Sequence, residues 1–506
     1  MGISVGGPLV RTNCLSMILE TDIAEHREIA WRLETAEVDP QNPLVEPRFP
    51  WDSGAFFAHG TVLRDPIDGL WKAWNISTKE DLGDFEAGRR LTYAVSEDGV
   101  NWERPLLDVV AQPGYPKTNI LLDFDSGGTC MYASVIIHPE AEKDRRYEMF
   151  ILRSPGRPEG SPRQIGDIPL EPGTEQHPYG IYRYWSEDGI RWIPTEGPII
   201  VTAVPGERMI TPYDRPDNAA DNALFHQMDD GTYTVYSKIG EPIQPGGFVP
   251  YDIFTGGRRV LARRTSPDGS VWSPLETIVQ PDWRDPQDLQ FMELCLGRVT
   301  EGFLGVLTVY HNLAQTTDLQ LAGSSNGRTW SRPSREPAVP LRRLGDYGGG
   351  MLWATRELVE DNGRMYVYYA ASEGLHGDPF SSTSTIYPFH AALCRASWEK
   401  DRYWAAVSAA GGPHEASLTS FLLPVGGKRL NVNAVTSTVR EGELAAELID
   451  SEGKPIEGFT RSDYQVWHGE SKVQTLRWLG GDVCPTDYAA VRFYIKRARL
   501  YGFGWI

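Results

Sequence analysis

Acidic side chains carry most of the chemistry this sequence offers. Asp52, Asp125, Asp217, Asp221, Asp288, Glu293 and Asp346 each stand just before or inside a short apolar run. Arg153, Lys238, His311 with Asn312, and Glu373 with His376 each stand just after such a run. Carboxylates from separate runs, if brought to one pocket, can divide a hydrolytic job. One protonates a leaving oxygen while another attacks carbon or activates water, which is the chemistry of glycosidic bonds. Trp51 and Trp283 could stack on sugar faces, and the cations and imidazoles could bind hydroxyls.

Elements must bring these residues together, and a repeat shows which. Ser96-Glu97-Asp98-Gly99-Val100-Asn101-Trp102 recurs as Ser186–Trp192, Ser266–Trp272 and Ser324–Trp330. All four obey S-x-[DN]-G-x-x-W and follow a run that alternates like a strand. Asp-Gly and Asn-Gly are strong hairpin signals because the turn needs positive φ. Each copy therefore reads as a turn between the outer strands of a repeated four-stranded unit, and β-repeats of this size imply a propeller.

Five first strands are expected: Ala55–Leu63, Met131–Ile137, Asn222–Gln227, Leu289–Val299 and Gly350–Val359. Five blades then span residues 1–404, including an N-terminal lead-in in which 24–37 has helical propensity. The fifth signature turn has degenerated to Trp398–Trp404. From 405 to 506 the pattern changes to strands with hairpin chemistry at Asp450–Pro455, read as a β-sandwich. The fold class is all-β: a five-bladed propeller followed by a β-sandwich.

Blade topology filters the acids. First strands start, and second strands end, on one face, and signature turns lie on the other. Asp98, Asp188, Asp268, Asp65, Asp229 and Asp230 are thereby turn residues. Asp52 could equally cap a strand, Asp288 could cap its own, and Asp346 could be a turn acid among glycines. His311 and His376 could be ordinary loop histidines. One of Asp217 and Asp221 faces the pocket. Glu293 lies between Met292 and Leu294 in an apolar strand, where a carboxylate must be paired or functional.

Composition agrees. The chain has 506 residues with 16 Trp, 22 Tyr, 17 Phe, 51 Gly and 37 Pro, as short-stranded all-β proteins do. A net charge of −19 argues against nucleic acid or an anionic membrane as partner. The five cysteines are scattered, with no C-x-x-C pair, so neither a zinc site nor a disulfide framework is expected. The first residues lack a basic region followed by an apolar core, and no run reaches membrane-span length, so a cytoplasmic location is expected, although a secreted chain trimmed of its signal would read the same. No motif encodes an oligomeric state.

With its repeated S-x-D-G-x-x-W turns, Trp51-Asp52 before the first strand, and Tyr368-Tyr369 leading to Leu375-His376-Gly377, the sequence resembles the five-bladed propeller glycoside hydrolases of families 32 and 43. The resemblance implies that Asp52 is the base or nucleophile; Glu293 as the acid, and Asp221 as the orienting or stabilising group, are expected from their places in the chain. It departs from family 32 where Arg284-Asp285-Pro286 falls in the fourth blade and Glu293-Leu294-Cys295 replaces Glu-Cys. The expected function is a glycoside hydrolase with a carbohydrate substrate. A glycoside phosphorylase on the same fold and a non-catalytic carbohydrate-binding propeller are the alternatives. No cofactor is required; a central Ca²⁺ is compatible with such propellers, but no ligand spacing specifies one.

Overall fold

The computed structural model describes residues 10–52, 55–78, 89–123, 129–154, 179–203, 221–242, 257–376, 390–410, 414–436 and 442–506. The protein is all-β, with no α-helix among the described residues.

The lead-in forms strands where helical propensity suggested otherwise: β1 (Ile23–Arg27), β2 (Ile29–Leu33) and β3 (Glu37–Val38). Glu28, at φ 54°, separates the first two. Their partners lie far along the chain, and this ladder outweighs local propensity.

Five groups of antiparallel strands follow. The first holds β4 (Ala55–Arg64), β5 (Trp71–Thr78), β6 (Arg90–Ser96), β7 (Trp102–Glu103) and β8 (Ile120–Leu122). The second is β9 (Thr129–Ile137), β10 (Tyr147–Ser154), β11 (Tyr179–Ser186) and β12 (Ile193–Ala203). The third is β13 (Asp221–Gln227), β14 (Tyr233–Pro242), β15 (Gly257–Ser266) and β16 (Glu276–Val279). The fourth is β17 (Leu289–Val299), β18 (Gly302–His311) and β19 (Thr316–Ser324), edged by a bridge from Gly323 to Ser331. The fifth is β20 (Met351–Ala354), β21 (Val359–Asp361), β22 (Arg364–Ser372) and β23 (Ala391–Glu399).

The run expected as one strand, 350–359, is thus broken between β20 and β21. There Arg356 N–H donates to Gly60 O, while Leu296 N–H donates to Arg356 O, so the backbone bonds to other groups. The lead-in strand β3 pairs with β23 and so completes the outer edge of the fifth group. The five first strands touch in a closed cycle: β4 with β9, β9 with β13, β13 with β17, β17 with β20, and β20 with β4.

The repeated motif locks this cycle. In each copy the Ser hydroxyl accepts the Gly N–H, and the Asp or Asn side chain accepts the N–H groups that follow. These bonds hold the Asp98 and Asp188 carboxyls below the usual carboxylate range, despite some burial. The four glycines have φ of 73°, 73°, 74° and 68°, which a side chain would strain. Each turn docks on the preceding group: Tyr368 O–H donates to Gly99 O at 2.8 Å, Trp74 Nε1–H to Gly189 O at 2.7 Å, Arg183 to Asp268 O at 3.1 Å, and Tyr236 O–H to Gly327 O at 2.8 Å. The acids set aside as turn residues do serve as turn residues.

The remaining strands are β24 (Trp404–Ser408), β25 (Ala416–Ser420), β26 (Leu423–Pro424), β27 (Leu430–Thr436), β28 (Glu443–Ile449), β29 (Gly469–Thr475), β30 (Tyr488–Lys496) and β31 (Ala498–Trp505). One sheet runs β1-β25-β30-β26, with β28 also on β30, and the other runs β2-β24-β31-β27-β29. They share a core that includes Leu418, Val432, Leu444, Phe493 and Phe503. So β1 and β2, expected with the N-terminal repeats, belong to these C-terminal sheets. Met17, Leu19 and Trp404 pack against Leu304 and Leu321 of the fourth group, and Arg11 donates to Glu301 O at 2.7 Å.

Candidate functional site

Bulges build the site. On β4, Phe57 pairs with Ile76 and Thr61 with Trp74, so Ala58, His59 and Gly60 oppose Asn75 alone. A Cβ on Gly60 would lie 1.8 Å from Trp74 O, so only glycine fits beside His59. On β9, Tyr132 and Ala133 oppose Ile151, and Tyr132 has φ 57°. On β13, Asn222 and Ala223 oppose Ser237, and Asn222 has φ 49°. On β17, Met292 is the extra residue between the pairs Phe291–Val309 and Glu293–Thr308. A bulge re-aims a side chain, and a non-glycine residue at positive φ costs roughly 1–3 kcal/mol that the surroundings must supply.

The re-aimed side chains meet. Glu293, 1% exposed, is the hub. Its Oε1 faces His59 Nδ1 at 3.0 Å and accepts Asn222 Nδ2–H at 2.7 Å, and its Oε2 accepts the Thr308 hydroxyl at 3.3 Å. The His59 ring packs edge-on against Tyr132 at 5.0 Å and Trp353 of β20 at 4.9 Å. One residue from each of the five first strands therefore belongs to a single cluster: His59, Tyr132, Asn222, Glu293 and Trp353.

Toward the strand starts the cluster continues through His376, 6.1 Å from Trp353 and 4.6 Å from Tyr310. The Tyr310 hydroxyl accepts Gln315 Nε2–H at 2.7 Å and Asn312 Nδ2–H at 3.4 Å. The Arg259 guanidinium lies 5.3 Å from the Tyr310 ring and donates to Gln290 Oε1 at 2.9 Å. A carboxylate beside an imidazole can hold or pass a proton, and the flanking rings and amides are the groups that recognise a sugar's faces and hydroxyls.

No family model matches this chain, and no curated protein matches it. Solved structures similar to it include glycoside hydrolases. A glycosyl hydrolase from Bacteroides ovatus shares 14% identity, with 74% of this chain and 95% of that one covered at a TM-score of 0.43. A thermostable family-43 glycoside hydrolase shares 11%, with 73% and 92% covered at 0.41. An N-acetylgalactosamine deacetylase from F. plautii, in complex with blood group B trisaccharide, shares 14%, with 74% and 97% covered at 0.44. At such scores the site is read from its own residues.

The expected residues divide sharply. Glu293 is the centre, and His376 joins it through the rings. Asp52 is corrected: it is fully buried, Oδ1 accepts the N–H groups of Arg48 at 2.9 Å and Phe49 at 2.6 Å, and Oδ2 is ion-paired with Arg104. Burial pushes its carboxyl up, against the pull of Arg104 and the two amides. Such a carboxylate caps a turn, and among the described residues it makes no hydrogen bond or ion pair with the Glu293 cluster.

Trp51 is corrected likewise, because it is buried, stacks on Phe49 at 4.7 Å and donates to Asn119 Oδ1 at 2.8 Å. Trp283 is 90% exposed. Asp288 accepts Leu313 N–H at 3.0 Å, Asp346 sits in an exposed turn, and Glu373 faces His390 at 3.4 Å. Among the described residues none of these three hydrogen-bonds or ion-pairs with the Glu293 cluster.

His311 pairs with Asp318 at 2.7 Å, and that bond holds its imidazole above the usual histidine range. Arg153 lies over the Tyr182 ring at 4.7 Å and donates to the Tyr184 hydroxyl, while Lys238 is buried on β14. Asp221 opens β13 in register with Lys238, but its side chain, like all of Asp125 and Asp217, lies outside the described residues.

His59, Asn222, Tyr132, Trp353 and Thr308 went unread. His59 carried the same signal as Glu293, a polar residue inside an apolar first strand. Asn222 ended the polar run that begins at Asp214.

Proposed function

We propose that the protein is a glycoside hydrolase whose reaction centre is the Glu293 cluster, on the axis of a five-bladed propeller closed by a C-terminal β-sandwich. The observation that carries this reading is the gathering of one side chain from each first strand into one cluster around the buried Glu293 carboxylate and His59, four of the five at or beside bulges. Glu293 moves the proton at the glycosidic oxygen. His59 and Asn222 fix its Oε1, and Thr308 fixes its Oε2. Trp353, Tyr310 and His376 form the wall against which the sugar lies. Asp221, whose side chain lies outside the described residues, is the candidate from the sequence alone for the second carboxylate, which activates water or attacks the anomeric carbon, since Asp52 is committed to Arg104 and two amides. The C–O bond breaks, water's oxygen goes to the anomeric carbon, and a proton goes to the leaving oxygen.

The test is a panel of aryl furanosides and pyranosides, with and without inorganic phosphate. Hydrolysis of one or more without phosphate supports the reading, and turnover only with phosphate makes the enzyme a phosphorylase. Binding of sugars without any turnover would leave a carbohydrate-binding protein.

A further inference from the structure

A cavity lies at the other end of the first strands, on the face of the signature turns. Its volume is about 380 Å³. The last residues of β4, β9 and β13, the end of β17 and the segment after β20 line it. Its apolar wall includes Ile136, Leu296 and Leu358, and among the described residues no aromatic ring of Phe, Tyr or Trp faces it.

The polar wall is unusual. His226, 4% exposed, lines the cavity, and its Nε2 is buried without a hydrogen-bond partner among the described residues. Burial, with Arg356 and Arg298 close by, holds this imidazole well below the usual histidine range. Arg356 donates from Nη1 to Phe225 O at 3.0 Å and pairs from Nη2 with Glu357 at 2.6 Å, which leaves its buried Nε–H without an acceptor. Buried polar groups are normally satisfied, and these two share the wall of one cavity, where a ligand's polar atoms could reach both.

The charges say what. The carboxylates around the cavity are each already matched: Glu357 by Arg356, Glu360 by Lys400 at 2.7 Å, Asp229 by Arg298 at 2.7 Å and Asp361 by Arg64 at 2.8 Å. What remains unmet is a guanidinium Nε–H and a neutral imidazole nitrogen that sits in the field of two arginines. An oxyanion supplies both the acceptor and the charge. A sugar would find no ring to stack on.

The geometry points to a binding site for a small organic anion, its oxyanion head at His226, Arg356 and Arg298 and its apolar body against Ile136, Leu296 and Leu358. This site is separate from the Glu293 cluster and does not depend on the reaction proposed for it.

Isothermal titration of the full chain with butyrate, and separately with inorganic sulfate, tests the site. Arg298→Ala is the informative variant, because that side chain is 43% exposed and its loss leaves the core intact. Butyrate should bind at one site, more tightly than sulfate. Arg298→Ala should weaken it about tenfold or more, and Glu293→Gln should bind it as wild type does. Absence of binding by either anion, unchanged affinity in Arg298→Ala, or a loss of binding in Glu293→Gln would each overturn the assignment. Tighter binding of sulfate would overturn the apolar body's part in it.

Discussion

Two buried carboxylates, Glu293 and Asp52, are put to opposite uses at the scale of the residue. Asp52 spends both oxygens on two amides and Arg104. Asp52→Asn would leave the Arg104 guanidinium buried and uncompensated. That should destabilise the fold by about 3 kcal/mol, read as a lower denaturation midpoint, while the folded fraction keeps its turnover.

Glu293 is held by side chains from three other strands, and its proposed part in proton transfer rests on that placement. His311 gives a pH signature. Its pair with Asp318 raises the imidazole above its ordinary value, so the pair's contribution to stability is complete below about pH 6.5 and is lost as pH rises through the raised value. In Asp318→Asn the His311 titration followed by NMR should move to lower pH. An unmoved titration would remove Asp318 as the cause.

The bulge and the signature turn set the geometry at the scale of the element. Gly189 shows what the turn supports. A Cβ there would meet Trp74 at 2.9 Å and Tyr147 at 3.2 Å, at a φ of 73°. Gly189→Ala should therefore cost at least about 2 kcal/mol, from backbone strain and from the contact between two groups, and a melting temperature equal to wild type's would contradict that docking.

The turns were legible because their chemistry is local: Ser, Asp and Gly at fixed spacing build the same hydrogen bonds four times. The bulges were not, because an extra residue in a strand is defined by its partner, which no local pattern names. This is why Glu293 could be read as a carboxylate needing a partner while His59 and Asn222, the partners, could not. It is also why Asp52 misled. Its position before the first strand fits a base, but its burial depends on Arg104, far along the chain. The lead-in failed as a helix for the same kind of reason, since β24 and β25, distant in sequence, claim it.

The chain closes on itself twice at the scale of the whole molecule. Strand β3 completes the fifth group, and β1 and β2 complete the C-terminal sheets. The N-terminal segment thus ties both halves together. Deleting residues 1–33 would uncover the edges of β24 and β25 and the apolar surface under Met17 and Leu19. Uncovered edges of this kind pair with other chains, so the shortened protein should aggregate in light scattering, and a monodisperse, folded product would refute the tie.

Within this frame five first strands deliver five side chains to one cluster. The most direct measurement is the turnover of Glu293→Gln on whichever glycoside the wild type cleaves, made alongside its melting temperature. The variant keeps the shape and most of the hydrogen bonds but loses the proton-transfer group. Turnover should fall by about 10²–10⁴-fold, with folding retained and sugar binding still measurable. A folded Glu293→Gln protein that turns over as fast as wild type would contradict the account.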